Sequence, residues 1–264
     1  MTTSNVVSSE PAESTRSAIG SRLWSPALTV AVAIVLWWIG TSVVPAADSL
    51  TRQFAPQNVG PALVDMFSRG VLLPDIGLSL WRLVVGLLIA IVVGIPIGLL
   101  VGLSTTLERA VSPLVSFLRM ISPLSWAPIA VMVFGIGNQP VIFLIAIAAV
   151  WPIVINTAAG VAAIDPGFLA VARSFDASRS ELVIHVVVPA IRGHVQTGVR
   201  VALGIAWVVL VPAEMLGVRS GLGYQILNAR DQLAYDQVMA VIVVIGVLGF
   251  VLDAGTRYLA RERN

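Results

Sequence analysis

No lysine and no cysteine occur in this chain, and histidine occurs only twice. Without lysine, a phosphate-binding loop of the G-x-x-x-x-G-K-[ST] kind cannot be present, so if ATP drives this protein the ATPase is on another chain. Without cysteine there is no disulfide framework, no thiolate metal site and no thiol nucleophile. His185 and His194, nine residues apart, make a poor metal site and read as polar interface groups. A G-x-S-x-G nucleophile elbow is also missing. Charge is scarce: 11% of residues are charged, where soluble domains carry about 25%.

What is there in excess is apolar sequence, 57% of the 264 residues. The apolar runs are too long for barrel strands, so the chain reads as an all-α polytopic membrane protein. An isoelectric point near 9.7 rests on arginine alone. No basic run is interleaved with aromatics, which argues against a nucleic-acid partner.

In chain order, residues 1–25 are rich in Ser, Thr, Ala and Glu and read as a disordered cytoplasmic tail. Six membrane spans are expected near 26–45, 76–104, 113–135, 140–163, 195–216 and 237–256, making 26–264 one transmembrane domain. The first apolar run exceeds the core of a signal peptide and reads as a span. Residues 61–67 form an amphipathic surface helix in this reading. Gly94, Gly98 and Gly102 recur every four residues and therefore share a face on which helices pack closely.

The third span contains Pro113, Pro123 and Pro128, with Ser122, Ser125 and Trp126 among them. Prolines free backbone carbonyls, which is tolerated where they face protein or a water-filled cavity. This span is thus either part of a translocation path, with Asn156 and Thr157 of the fourth, or a kinked packing helix. Glu214 ends the fifth span, and Arg82 at the same end of the second is its candidate partner across an outer gate. The alternative is an acid sitting in interfacial water. Gly217, Gly221 and Gly223 follow in a loop that is either part of the gate or a flexible turn. Eleven arginines, Arg119, Arg173, Arg179 and Arg192 among them, then fall on or near the side of the termini and five on the other. That asymmetry places both termini and residues 165–193 in the cytoplasm.

Residues 165–193 are the one long polar interruption of the second half. Asp165 caps a helix starting at Pro166, with Phe168, Val171, Ala172 and Phe175 at i, i+3, i+4, i+7 spacing. Ser178 and Glu181 have capping-box spacing, which starts a second short helix that Pro189 should end.

Residues 170–179, AVARSFDASR, followed after nine intervening residues by Pro189, resemble the EAA loop of ATP-binding cassette importer permeases. Ala170, Val171 and Asp176 stand where that pattern has Glu, Ala and Gly. Asp is among the few residues that tolerate a left-handed turn, so Asp176 can replace the glycine. Further likenesses are SLWR at 79–82, GIPIG at 94–98, PLSWAP at 123–128, FGIG at 134–137, and Ala213-Glu214 with GLG at 221–223. Together these motifs are similar to the permease branch serving nitrate, sulfonate, taurine and related small solutes.

The resemblance implies a type I importer permease fold in a bacterial inner membrane. The implied partners are two ATPase subunits, a second permease subunit (most simply another copy) and an external solute-binding protein. ATP and Mg would be bound by the ATPase, with no cofactor on this chain. Phe168, Arg173 and Phe175 would enter a groove on the ATPase. Asp165, Ala170, Ala172, Asp176, Ser178, Arg179, Glu181 and Pro189 complete the ATPase-coupling segment, with Ser178 and Glu181 holding the fold that presents the anchors. The competing reading is an ATP-independent channel or scaffold subunit. An intramembrane enzyme is disfavoured because Glu214 and Asp253 sit at opposite faces of the membrane.

Overall fold

Long unbroken apolar stretches in lipid satisfy their backbone only as helices, and the computed structural model is helical throughout. It describes residues 17–44, 46 and 49–261; the side chains of 17–27, 173 and 259–261 lie outside the description. No strand occurs among the described residues. The helices are α1 (Ser17–Trp38), α2 (Pro56–Ser68), α3 (Leu72–Leu103), α4 (Thr105–Met120), α5 (Ala127–Phe134) and α6 (Asn138–Ala162). They continue as α7 (Pro166–Ser174), α8 (Arg179–Leu182), α9 (Val188–Gly217), α10 (Leu222–Asp231) and α11 (Tyr235–Arg261).

Two compact units divide the chain at Pro61. In the first, α1 already includes residues 17–25, so that part of the expected tail is helical. A π-helical turn, Ile39–Val43, extends α1. The Trp37 indole donates to the Phe54 carbonyl at 3.0 Å, and the Trp38 indole to Gln57 Oε1 at 2.9 Å. The helix expected at 61–67 begins earlier, at Pro56; Val59, Ala62 and Met66 form its buried face while Val64 and Phe67 are exposed.

The second unit carries the candidate spans. By length and composition four helices can cross a membrane: Leu72–Leu103, Asn138–Ala162, Arg179–Gly217 and Tyr235–Tyr258. The pair Thr105–Met120 and Pro123–Phe134, bent by 85°, makes a fifth if taken as one span. The described residues show four or five membrane-length spans, and the apolar stretch near the amino terminus, Leu28–Val43, is a shorter apolar helix. The bend in the third expected span falls where Pro123 removes a backbone donor after Met120 and a short 3-10 turn, Pro123–Trp126, leads into α5.

The core is a three-helix layer of α3, α6 and α9, built on small residues. Cβ atoms added at Gly94, Gly98 and Gly102 would meet Ile153, Thr157 and Val161 of α6. Gly86 faces Ile145 in the same way. The offset is constant, so α3 and α6 run parallel, and α4–α5 is the return crossing between them. Gly160 faces His194 and Gly198 faces Asn156, so α9 runs antiparallel to α6. At Gly98 the added Cβ would lie 2.6 Å from Thr157 Cβ and 2.7 Å from the Val154 carbonyl oxygen. Gly98→Leu is therefore expected to cost about 1–3 kcal/mol by overpacking. Gly246→Leu, where nothing lies within 4 Å, should cost far less. Melting temperatures of the two variants in one detergent check this, and equal values would contradict the close-packed register.

Candidate functional site

The second unit has polar constructions at both ends of the α3–α6–α9 layer and a cavity between. At one end, Asp75, Ser79 and Arg82 recur at i, i+4, i+7 and so share one face of α3. Opposite them stands Glu214, near the end of α9. Arg82 and Glu214 are 1% and 0% exposed and pair at 2.6 Å, Nη1 to Oε1. Arg82 also donates from Nε to Asn138 Oδ1 (2.9 Å), from Nη1 to the Ser220 carbonyl (2.8 Å) and from Nη2 to Ser220 Oγ (2.7 Å). Ser79 Oγ lies 2.8 and 2.9 Å from the two Glu214 oxygens.

The third component is backbone. Three successive N–H groups at the start of α10 have no intrahelical acceptor. Those of Gly221, Leu222 and Gly223 donate to Asp75 Oδ1 (2.6 Å), Ser79 Oγ (2.9 Å) and Glu214 Oε2 (2.9 Å). Two acids placed at a helix amino terminus also oppose its positive dipole end. Gly221 holds φ +100°, and a Cβ there would lie 2.6 Å from Arg82 Nη1. A Cβ at Gly223 would overlap the Val211 carbonyl oxygen. The 221–223 turn is thus a fitted part of the cluster. The cluster joins α3, α6, α9 and α10 through buried charge in which every nitrogen of the Arg82 guanidinium and both Glu214 oxygens are hydrogen-bonded, the condition under which such a pair is tolerated.

At the opposite end, residues 165–189 form a helical hairpin. Asp165 Oδ1 accepts the Gly167 N–H at 2.7 Å, capping α7. Asp176 turns the chain at φ 53°, the conformation a glycine would adopt. Ser178 and Glu181 make a complete capping box. Leu169 and Leu182 pack on the buried cluster of Val161, Val187 and Ile191, which fixes the hairpin to the ends of α6 and α9. Phe168, Val171 and Phe175 point away, Phe168 being 68% and Phe175 81% exposed. Ala172 is half-buried; Ala170 and Arg179 are exposed. The side chain of Arg173 lies outside the described residues.

Pro189 does not end the second helix. Residues Val183–Val187 form a π-helical turn in which the Val188 N–H bonds the Val183 carbonyl. The ladder has shifted register just before Pro189, so its missing N–H leaves the helix intact. Arg179–Gly217 is consequently one helix of 39 residues, with the hairpin at one end and Glu214 at the other.

Between the ends lies a cavity of about 380 Å³. Pro123, Trp126 and Asn156 line it, together with Trp151 and Arg119. Ser122 and Ser125 are exposed outside this lining. Thr157 is on another face of α6, buried against Gly98, because adjacent helical residues are about 100° apart. Arg119 is not at the arginine-rich end: at the end of α4, just before the 85° bend, it lines this cavity with Trp151 and Pro152, near the middle of α6. Asp75, Asn138, Ser220 and Gln225, whose Nε2 donates to Asp75 Oδ2 at 2.5 Å, were not singled out from sequence as site residues. The signal for Asp75 was its helical spacing from Ser79 and Arg82.

Membrane-length helices packed on glycine, a broken span beside a cavity, and an exposed capped hairpin define a multi-pass membrane transport subunit. Residues 94–264 match the family described as the binding-protein-dependent transport system inner membrane component. The taurine transport system permease TauC of Escherichia coli is 33% identical, the match covering 89% of this chain and 86% of the relative. The nitrate import permease NrtB of Synechococcus elongatus is 34% identical, covering 71% and 68%. A chain from the structure of the MetNI methionine ABC transporter in inward-facing conformations shares the fold, with TM-score 0.64 at 20% identity, over 73% of this chain and 96% of that one. The chain belongs to the binding-protein-dependent transport system inner membrane component family and has the type I importer permease fold. It is an ABC importer permease.

Proposed function

We propose that this chain couples closure of two separate ATPase subunits to alternating access, importing a small solute such as taurine, another sulfonate or nitrate. The 165–189 hairpin docks on the ATPase from the cytoplasm, where both termini also lie. A second permease subunit, most simply another copy, completes the pathway, and an external solute-binding protein delivers the solute near the Arg82–Glu214 gate. The observation that carries this reading is the continuous Arg179–Gly217 helix beside an exposed apolar face of Phe168, Val171 and Phe175. Apolar anchors in a groove transmit a partner's motion as a rigid body. A helix of this length, about 58 Å at 1.5 Å per residue, extends that motion across the bilayer.

Gentle-detergent purification of the tagged chain, wild type beside Phe168→Asp/Phe175→Asp, tests it. An ATPase should accompany the wild type and be lost, at least tenfold, with the variant at an unchanged melting temperature. Roughly tenfold is what losing about 1.4 kcal/mol of apolar anchoring produces. Absence of any ATPase from a folded wild-type preparation would favour the ATP-independent channel or scaffold.

A further inference from the structure

We infer that Arg119, together with Trp126, Trp151 and Asn156, forms a binding site for the oxyanion group of the travelling solute at mid-depth of the membrane. The inference rests on the transport reading above and deepens it by naming the ligand chemistry. Four observations carry it. Arg119 lines the cavity with Trp151, Pro152, Ile155 and Asn156 of α6, a helix running from Asn138 to Ala162, so the site lies well inside the span. Among the described residues no hydrogen bond or ion pair to Arg119 is found, in contrast to Arg82, which is neutralised by Glu214 and surrounded by acceptors. Asn156 donates to the Pro152 carbonyl at 2.8 Å, which holds its amide in place and leaves a second N–H free. Trp126 and Trp151 add two indole N–H groups on flat apolar walls.

An arginine at the bilayer centre is costly, and such residues face water, a counter-charge or a ligand. Among the described residues no carboxylate is placed to be that counter-charge. The acids of the described spans, Asp75, Glu108, Glu181, Glu214, Asp236 and Asp253, all lie within about two turns of a helix end. A second copy would bring the same set and so offers no counter-charge at this depth either. The cavity presents guanidinium, amide and indole donors, and only donors suit a sulfonate, nitrate or carboxylate oxygen. A guanidinium binds such planar or trigonal oxygens in a forked geometry that an ammonium cannot match.

The natural absence of cysteine makes a direct test possible. Ile155→Cys places the sole thiol on the cavity wall, in the full chain in lipid nanodiscs. Its modification by a negatively charged sulfonatoethyl methanethiosulfonate is compared with that by a positively charged trimethylammonium analogue. With Arg119 present, the anionic reagent should react about tenfold faster than the cationic one after normalisation to a free thiol, as one nearby charge implies. Methanesulfonate, but not choline, should slow it. In Ile155→Cys/Arg119→Gln the preference should vanish, and Arg119→Lys should restore the charge preference without the methanesulfonate protection. Equal rates for both reagents with Arg119 intact, or a preference that survives Arg119→Gln, would overturn the site, as would a thiol that neither reagent reaches. Failure of the importer reading shows instead as absence of the ATPase during purification, which this experiment does not involve.

Discussion

Glu214→Gln is expected to destabilise the protein by about 3–5 kcal/mol and to abolish transport, because it leaves the Arg82 charge buried without its counter-ion. Gln keeps the shape and can still accept from Ser79 and the Gly223 N–H. What it cannot supply is the negative charge 2.6 Å from an arginine that is 1% exposed. Removing both charges should behave differently. Glu214→Leu/Arg82→Met replaces an ion pair by apolar groups of similar volume, a change often neutral for stability. The double variant should recover much of the melting temperature lost by either single one. It should not recover transport, since the Gly223 N–H, the Ser220 carbonyl and Ser220 Oγ lose their partners. Melting in nanodiscs, hydrogen exchange over 217–225 and solute uptake separate the two effects. An unchanged melting temperature for Glu214→Gln would show that the pair is not structurally important.

Gly223→Ala should be nearly as damaging, by about 3 kcal/mol, although it adds one methyl group. Its Cβ would overlap the Val211 carbonyl oxygen and sit 2.7 Å from Glu214 Cβ. The first obstacle is backbone, so the clash is relieved only by moving the start of α10 away from α9. That movement would break the bond from the Gly223 N–H to Glu214 and loosen the neighbouring bonds to Asp75 and Ser79. Gly217→Ala, at the last residue of α9, is the control. Its Cβ would lie 3.8 Å from Val131 and 3.9 Å from Pro140, ordinary contact distances, and the variant should fold and transport normally. Folded yield by size-exclusion chromatography and uptake would show the contrast. Similar losses at both glycines would mean that the loop is not fitted as described.

Composition had treated these glycines alike, as a gate loop or as a flexible turn. Only the neighbours of each differ: Gly217 stands by Val131 and Pro140, Gly221 by Arg82 and Glu214, and Gly223 by Val211 and Glu214. The same is true of Arg119. Read along the chain it belonged with the arginines near the termini. Where α4 ends, it stands instead beside the middle of α6. Pro189 shows the reverse case: a residue that ordinarily stops a helix sits just past a π-helical turn, where its missing donor is not needed. Thr157, grouped with Asn156 from sequence, is turned by one helical step into the glycine seam of α3.

What could be read directly was whatever depends on short-range rules. Apolar length implied membrane helices, because lipid leaves the backbone no other partners. Four-residue glycine spacing marked a packing face, and Asp165, Asp176, Ser178 and Glu181 marked the caps and turn of the hairpin, because capping involves residues within four positions. The family followed from the same local motifs. What the chain order could not disclose was which side chains meet across helices. Whether Arg82 is neutralised and Arg119 left open depends on helix register, on one 85° bend and on a helix that continues through a proline. Charge pairing and cavities are sums over contacts between distant segments, and those contacts exist only once the helices have packed.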